Sequence, residues 1–274
     1  MIVEVAGYAA YAYTASRGFD RARPTIVFVH GAANDHSVWT LQSRYFAHHG
    51  FNALAIDLPA HGRSEGAPLA TVEALADWLL AFLDSVGAGS AALAGHSLGA
   101  LTVLDAAARA PSRVVRLALI GPAVPMPVSD ALLAAAKADD PVAYALINGW
   151  SFSAAKQLGH NRQPGVWMTG NSLRLMERTA PGVLYSDLAA CHAYAGGLDA
   201  ARRVQCASLL ILGARDLMAP PRSAVELAKA LKRSRTVTLP DCGHAMMSEQ
   251  PDAVLDALIA ATTDLAAAET GKGF

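Results

Sequence analysis

A glycine-flanked serine occupies residues 95–99, GHSLG, between an apolar run and a helical segment. The run AALA precedes the segment, and helical spacing begins at Leu98. A G-x-S-x-G sequence allows a tight strand-to-helix turn, because the small residues on either side of the serine avoid collisions within the turn. The serine then sits at the apex in a strained backbone conformation. The context predicts a turn that presents the hydroxyl of Ser97.

Strands and helices alternate along most of the chain. The predicted strands are 2–5, 8–14, 25–30, 51–58, 91–95, 114–120, 208–212 and 236–239. The predicted helices are 36–48, 71–86, 98–109, 222–232 and 252–268. The continuous apolar run TIVFVH at 25–30 is typical of a strand covered on both faces. The alternation predicts an α/β fold with a mostly parallel sheet and helices on both faces.

The stretch 122–203 interrupts this alternation. It opens with a proline-rich segment, PAVPMP, which cannot continue a regular strand or helix. Short helical segments follow at 129–138, 141–148, 152–158, about 171–178 and 185–195. Because helices this short bury little core of their own, we interpret the stretch as an insertion that sits on the sheet. The predicted division is a core at 1–121, a helical lid at 122–203 and a second part of the core at 204–274.

Composition excludes several classes of partner. The formal net charge is -1, with 22 basic and 23 acidic residues spread along the chain, so neither nucleic acid nor an anionic membrane is indicated. No apolar stretch is long enough to cross a bilayer, and no basic segment precedes an apolar block at the start. The three cysteines lack metal or redox spacing, which predicts reduced thiols in a cytoplasmic protein.

A serine hydroxyl needs a base to become a good nucleophile. His244, in the segment DCGHA between the last predicted strand and helix, is the best candidate. The base in turn needs an acid to orient it, and Asp216 follows the strand SLLIL at the sheet edge where sites form. Asp241 and Glu249 are rivals for that role, since each is close to His244 in sequence.

Acyl transfer also needs hydrogen-bond donors for the negative oxygen of the intermediate. The backbone N–H of Leu98 is one predicted donor, because it directly follows Ser97 at a helix N-terminus. The other should come from the loop after the strand TIVFV, where Gly31 gives the chain room to turn. We assign that donor to the N–H of Ala32.

The segments HGAANDHSVW, DLPAHGRS, GHSLG, GARDLMAP and GHAMMSEQP together resemble the α/β-hydrolase superfamily. Within it, the chain is similar to lid-bearing esterases, enol-lactonases, cofactor-free haloperoxidases and C–C bond hydrolases. The resemblance implies an eight-stranded sheet, a lid at 122–203, no cofactor and no metal. The order Ser97, Asp216, His244 is also the order of this fold. Haloalkane dehalogenases and epoxide hydrolases carry aspartate where this chain has Ser97, which argues against both.

The expected reaction is hydrolysis of a small to medium, partly hydrophobic ester or lactone through an acyl-enzyme. The alternatives are a C–C hydrolase acting on a ring-cleavage product and a ligand-binding receptor on the same fold. Either form of the protein, monomer or homodimer, is compatible with an apolar lid. The side chains expected to line the substrate pocket are Asn34, Met126, Trp150, Trp167 and Met218.

Overall fold

The computed structural model describes residues 1–159 and 165–270. Residues 160–164 of the predicted lid and 271–274 of the predicted second part of the core lie outside the described residues. The strands are β1 (Ile2–Val5), β2 (Tyr8–Tyr13), β3 (Thr25–Val29), β4 (Asn52–Ile56), β5 (Ala91–His96), β6 (Val114–Ile120), β7 (Ala207–Gly213) and β8 (Ser234–Leu239). The helices are α1 (Thr40–His48), α2 (Val72–Val86), α3 (Leu98–Arg109), α4 (Asp130–Lys137), α5 (Val142–Ser151), α6 (Ala154–Gln157), α7 (Met168–Met176), α8 (Val183–Ala193), α9 (Gly197–Arg203), α10 (Val225–Ala230), α11 (Met246–Glu249) and α12 (Pro251–Thr270).

The strands form one eight-stranded sheet in the order β1-β2-β4-β3-β5-β6-β7-β8. β1 and β2 pair antiparallel, β2 also runs antiparallel to β4, and every later pair is parallel. The predicted α/β-hydrolase fold, with its mostly parallel eight-stranded sheet, is confirmed. The carboxyl ends of β3, β5, β6, β7 and β8 therefore meet at one edge, where the connecting loops can come together.

Each central strand supplies both faces of the sheet with buried side chains. In β3, Val27 and Val29 belong to one apolar cluster, whereas Ile26 and Phe28 belong to a second. This alternation follows from the two-residue period of a strand. Helices α2 and α3 cover the first face, and α1 and α12 cover the second. Because both faces are covered, the strands read as continuous apolar runs rather than as alternating ones.

Helices α4 to α9 lie between β6 and β7 in the chain, and we call residues 122–203 the insertion. A third apolar cluster lies within it, built on Leu132, Ile147, Leu184 and Leu188. Helix α9 differs, because it packs against α3 and its buried alanines belong to the core of the first face. The boundary at 203 stays a prediction, and α9 packs mainly against the core helices α3 and α10.

Some elements differ from the sequence-based expectation. The segment 36–48 begins as a 3₁₀ turn at His36–Trp39, and 222–232 divides into the 3₁₀ turn Pro221–Ala224 and the short helix α10. Helices α9 and α11, of seven and four residues, carry too little periodicity to be predicted. None of the helices within 1–159 and 165–270 has the length and apolar character needed to span a membrane.

The contact between β5 and α3 gives a direct test of the fold. A Cβ atom on Gly95 would lie 2.1 Å from the carbonyl oxygen of Gly99. We expect Gly95→Ala to lower the free energy of unfolding by about 2 kcal/mol or more, because backbone must move to admit the methyl group. Gly89→Ala is the matched control, since a Cβ there meets nothing within 4 Å. Urea unfolding measures both, and equal stabilities would contradict the prediction.

Candidate active site

Ser97 occupies the turn between β5 and α3. Its backbone adopts φ 55° and ψ −116°, a conformation that side chains rarely adopt. Two glycines make the turn possible: Gly95 lies against Gly99, and a Cβ on Gly99 would lie 2.4 Å from the carbonyl oxygen of Val29. Ser97 is half-buried, whereas its neighbours on both sides are buried. The predicted strained turn is therefore present, and it presents Ser97 at the carboxyl edge of the sheet.

Asp216 and His244 come together from the loops after β7 and β8. Nδ1 of His244 lies 2.7 Å from Oδ2 of Asp216, and both side chains are buried. The other carboxylate oxygen, Oδ1, accepts the N–H groups of Met218 and Ala219, each at 2.8 Å. Burial opposes the charge of Asp216, but the His244 imidazole and these N–H groups outweigh it and hold its pKa below the usual range.

His244 and Ser97 lie at the same cavity. Both residues line one cavity, and Nε2 of His244 is buried with no hydrogen-bond partner among the described residues. Because Asp216 holds Nδ1, the hydrogen of a neutral imidazole is on Nδ1 and the lone pair is on Nε2. An imidazole in this tautomer can accept a proton from a hydroxyl group in the cavity.

The rival acids lie elsewhere. Asp241 is exposed and its contact is an ion pair with Arg215 at 3.6 Å. Glu249 is buried, and its carboxylate accepts the N–H of Gly243 at 3.0 Å and both the N–H and the hydroxyl of Ser153. Glu249 therefore fixes the turn that precedes His244 without contacting its ring. The structure brings Asp216, and neither rival, to the imidazole.

His96 supports the same loop from the opposite side. Its Nε2 lies 3.0 Å from the carbonyl oxygen of His244, and the two rings lie 4.6 Å apart. Burial, together with the nearby His244, lowers the pKa of His96 to about 3. His96 is therefore neutral at ordinary pH and donates one hydrogen bond that holds the backbone of His244.

The loop after β3 lies directly over the turn that carries Ser97. A Cβ on Gly31 would come within 3.2 Å of the Ser97 Cβ, so this approach is tight and favours glycine. Nδ1 of the buried His30 donates to the carbonyl oxygen of Gly31 at 2.8 Å, while its Nε2 accepts the N–H of Leu58 at 3.1 Å. Ala32 lines the cavity beside Ser97. The loop thus has the placement that a donor for a developing oxyanion needs.

A buried ion pair lies behind this loop and was not predicted. Nε2 of His61 lies 2.9 Å from Oδ2 of Asp187, a residue of α8, and Nδ1 of His61 lies 2.9 Å from the carbonyl oxygen of Pro59. Burial opposes a charge on His61, but Asp187 and the Pro59 carbonyl outweigh it and raise the pKa of the imidazole. Only a doubly protonated ring donates to both acceptors.

Asp35, His36 and Asp57 bring their ligand atoms within 4.8 Å of one another, which makes them the candidate metal cluster of the described residues. Their atoms already have partners. Asp35 accepts the N–H of Ser37 at 2.8 Å, and Asp57 accepts the ring nitrogen and the N–H of His36 and the N–H of Arg63. Asp35 therefore caps the turn at His36–Trp39, and Asp57 holds the turn DLPAHGRS in shape.

The cavity over Ser97 has a volume of about 800 Å³. Four of the five predicted pocket residues line it: Asn34, Met126, Trp150 and Met218. Trp167 does not, because its side chain is 69% exposed and its ring lies against the backbone of Gly170. Apolar side chains that the sequence analysis did not single out complete the wall, among them Val128, Leu132, Ile147 and Leu188. Leu132, Ile147 and Leu188 have the spacing of buried residues in any helix, and Val128 precedes α4, so no signal marked them.

The His61–Asp187 pair predicts a pH-dependent stability. The pKa of His61 is raised above its ordinary 6.5, so its charge stabilises the fold fully below pH 6.5. That contribution is lost as pH rises through the raised pKa. Asp187 and Asp57 face the ring as negative groups, and the ring of neutral His30 lies beside it, tilted by 53°, with the centroids 4.8 Å apart. The free energy of unfolding should therefore fall more for the wild type than for His61→Gln between about pH 6 and about pH 9. Parallel urea curves would contradict this.

The chain is similar to known proteins over most of its length. The family model described as the alpha/beta hydrolase family matches residues 26–257. A pimeloyl-[acyl-carrier protein] methyl ester esterase of Aromatoleum aromaticum is 32% identical over 249 residues, covering 84% of this chain and 94% of the esterase. A second such esterase, of Neisseria meningitidis serogroup C, is 31% identical over 239 residues, which cover 80% of this chain and 86% of that esterase.

Solved structures of two enzymes superpose on nearly the whole chain. The enol-lactonase of Burkholderia xenovorans superposes with a TM-score of 0.84 at 25% identity, covering 96% of this chain and 100% of the lactonase. An esterase of Thermogutta terrifontis superposes with a TM-score of 0.82 at 20% identity, over 97% of this chain and 98% of its own, which shows the common fold. The expected enzyme class, a hydrolase, is confirmed by these matches. The chain belongs to the alpha/beta hydrolase family.

Proposed function

We propose that the chain hydrolyses carboxylic esters or lactones through an acyl-enzyme formed on Ser97. One observation supports this most: His244, whose buried imidazole is held by a carboxylate on Nδ1 and has no partner on Nε2 among the described residues, lines the same cavity as Ser97. This arrangement of nucleophile, base and orienting acid is that of a catalytic triad. The relatives named as an enol-lactonase and as methyl ester esterases support an ester or lactone bond as the target.

In the first step, Oγ of Ser97 attacks the carbonyl carbon while Nε2 of His244 takes the hydroxyl proton. The charge of Asp216 stabilises the imidazolium that results. His244 then gives the proton to the leaving alcohol, and the acyl group stays on Ser97. A water molecule, activated by His244 as base, releases the acid and restores the hydroxyl. A lactone follows the same course, with its ring opened by the first attack.

The tetrahedral intermediate carries a negative oxygen, for which we propose the N–H groups of Ala32 and Leu98 as donors. Leu98 is the first residue of α3, so its N–H lies at the positive end of the helix dipole. Ala32 supplies the second N–H from the loop that approaches Ser97 most closely. Backbone donors held by the fold need no reorganisation during the reaction, which is why they stabilise the transition state strongly.

The cavity suggests the size and polarity of the substrate. A volume of about 800 Å³ suits a small to medium molecule, and the insertion contributes much of an apolar wall. We propose that the insertion serves as a lid, with Met126 and Trp150 on the acyl or ring portion of the substrate. Asn34, in the loop after β3 that carries Ala32, adds a polar contact. A cleaved C–C bond and a bound but uncleaved ligand are the alternatives that the activity assay separates.

The thiols support a reducing compartment, and we propose the cytoplasm. Cys191, Cys206 and Cys242 are all free. Burial raises the pKa of each thiol, with Asp187 adding to the effect at Cys191 and Glu249 at Cys242. Thiols of this kind are unreactive and serve as small apolar side chains.

The nucleophile is tested first. We expect Ser97→Ala to lower kcat on p-nitrophenyl acetate, butyrate and octanoate by about 10³-fold or more, because no acyl-enzyme can form. Ser90→Ala, an exposed serine in the loop before β5, is the control and should keep full activity. Full activity of Ser97→Ala would refute the proposal. A wild type inactive on all three esters but labelled at Ser97 by a fluorophosphonate would favour C–C cleavage or ligand binding.

The orienting acid has a matched pair of variants. Asp216→Asn should lower kcat on the same esters by about 10⁴-fold, because an amide stabilises the wrong tautomer of His244. Asp241→Asn changes a carboxylate in the loop that carries His244, where it contacts Arg215 at the surface, and it should leave kcat unchanged. Steady-state kinetics at several pH values checks both. A loss in Asp241→Asn as large as that in Asp216→Asn would overturn the assignment of Asp216.

A further inference from the structure

Asp187 is a buried acid that the proposed catalytic steps do not use. It lies on α8 in the insertion and is 2% exposed. Its Oδ2 atom accepts two hydrogen bonds, from the N–H of Ala33 at 2.9 Å and from Nε2 of His61 at 2.9 Å. One carboxylate oxygen therefore joins the insertion to two separate loops of the core. One of those loops, residues 31–34, carries the N–H proposed for the oxyanion, and we call it the oxyanion loop.

The other polar groups of the oxyanion loop are also engaged. The carbonyl oxygen of Gly31 accepts the N–H of Asn34 at 3.3 Å, and that of Ala32 accepts the Asn34 side-chain amide at 3.0 Å. The carbonyl oxygen of Ala33 accepts the hydroxyl of Thr179, from the insertion, at 3.4 Å. Among the described residues, the N–H of Ala32 has no acceptor. The N–H of Gly31 has no acceptor among these residues either, so the contacts leave two N–H groups of the loop available, and that of Ala32 is the one proposed for the oxyanion.

The peptide between Ala32 and Ala33 is thus held at both ends. Asp187 binds its N–H, and the amide of Asn34 binds its carbonyl oxygen. Ala33 itself has φ 52°, a left-handed conformation that alanine disfavours. A residue in such a conformation relaxes unless its surroundings fix it. Loss of the bond from Asp187 would free this peptide to rotate, and the preceding Gly31–Ala32 peptide, which carries the N–H of Ala32, would lose the neighbour that restrains it.

The charge of Asp187 also has a partner. A lone carboxylate behind the oxyanion loop would repel the negative oxygen of the intermediate. His61 lies on the same oxygen atom of Asp187 and donates from both ring nitrogens, so the pair is neutral overall. The loop is therefore held by a strong charge-assisted bond without an added negative field.

We infer that Asp187 is a positioning residue for ester hydrolysis: with His61, it fixes the oxyanion loop so that the N–H of Ala32 meets the developing oxyanion. The inference rests on the proposed function. It gives the insertion a role in the chemical step beside the shaping of the pocket, because α8 supplies the carboxylate. Substrate contacts do not involve Asp187, so the effect of its loss falls on the transition state rather than on binding.

The test compares kcat with KM. Asp187→Ala should lower kcat on p-nitrophenyl butyrate by about 10²-fold with KM changed less than about threefold, as for a misplaced oxyanion donor. Asp187→Asn should recover part of kcat, because its amide oxygen can still accept the N–H of Ala33. Thr179→Val, which removes the weaker bond to the same loop, should give a smaller loss of kcat. It replaces Asp187→Ala as the test variant if Asp187→Ala does not fold.

Tyr194→Phe is the matched control. Tyr194 follows α8, and its buried hydroxyl donates to Asp105 of α3 at 2.9 Å, so its loss also removes a buried bond to a carboxylate between this segment and the core. It lies away from the oxyanion loop, and we expect an unchanged kcat. Urea unfolding of each variant separates lost stability from lost positioning.

A second measurement does not depend on the substrate. The rate at which a fluorophosphonate labels Ser97 should fall with kcat in Asp187→Ala, because that reaction also develops a negative oxygen in the same site. A labelling rate and kcat equal to those of Tyr194→Phe, or a change confined to KM, would overturn the role of Asp187 and leave the proposed function intact. A wild type that is neither active nor labelled would instead refute the proposed function.

Discussion

The site depends on a close approach of backbone between β3, β5 and α3. Helix α3 can begin directly beneath the end of β3 because Gly99 has no side chain to meet the Val29 carbonyl oxygen. This contact fixes the strained turn at Ser97 and leaves its backbone no alternative path. Gly31 then lets the oxyanion loop settle against Ser97. Three glycines thus determine where the serine and the loop above it lie, and the side chains of the site are placed upon that arrangement.

Local patterns were sufficient for most of the sheet and for the residues at its carboxyl edge. The apolar run at 25–30 and the cap residues of α2, Thr71 and Gly87, predict elements that the structure contains. Asp216 and His244 could be singled out because each directly follows a strand, and parallel strands bring such loops together. The sequence could not choose between Asp216 and its rivals by distance. That choice depended on the 2.7 Å contact, a property of the packed loops.

The insertion was predictable only as a set of short helices. Trp167 looked like a pocket residue from its type and position, but its ring packs on Gly170 at the surface. Asp187 offered no signal at all, because its partners His61 and Ala33 lie 126 and 154 residues away in the chain. Periodicity describes which face of a helix is buried, and it is silent about which distant loop that face meets. A single polar residue on an apolar face therefore passes unnoticed.

The burial of that polar residue is itself informative. Removing a carboxylate and an imidazolium from water is costly, and well-packed apolar side chains of similar size are often as stable or more so. Stability alone is thus a weak reason for the pair His61–Asp187 to exist in this fold. An apolar residue at 187 would, however, leave the N–H of Ala33 without an acceptor and its left-handed backbone without a restraint. The pair fixes the direction of a loop that carries the N–H proposed for the oxyanion, which an apolar contact cannot do.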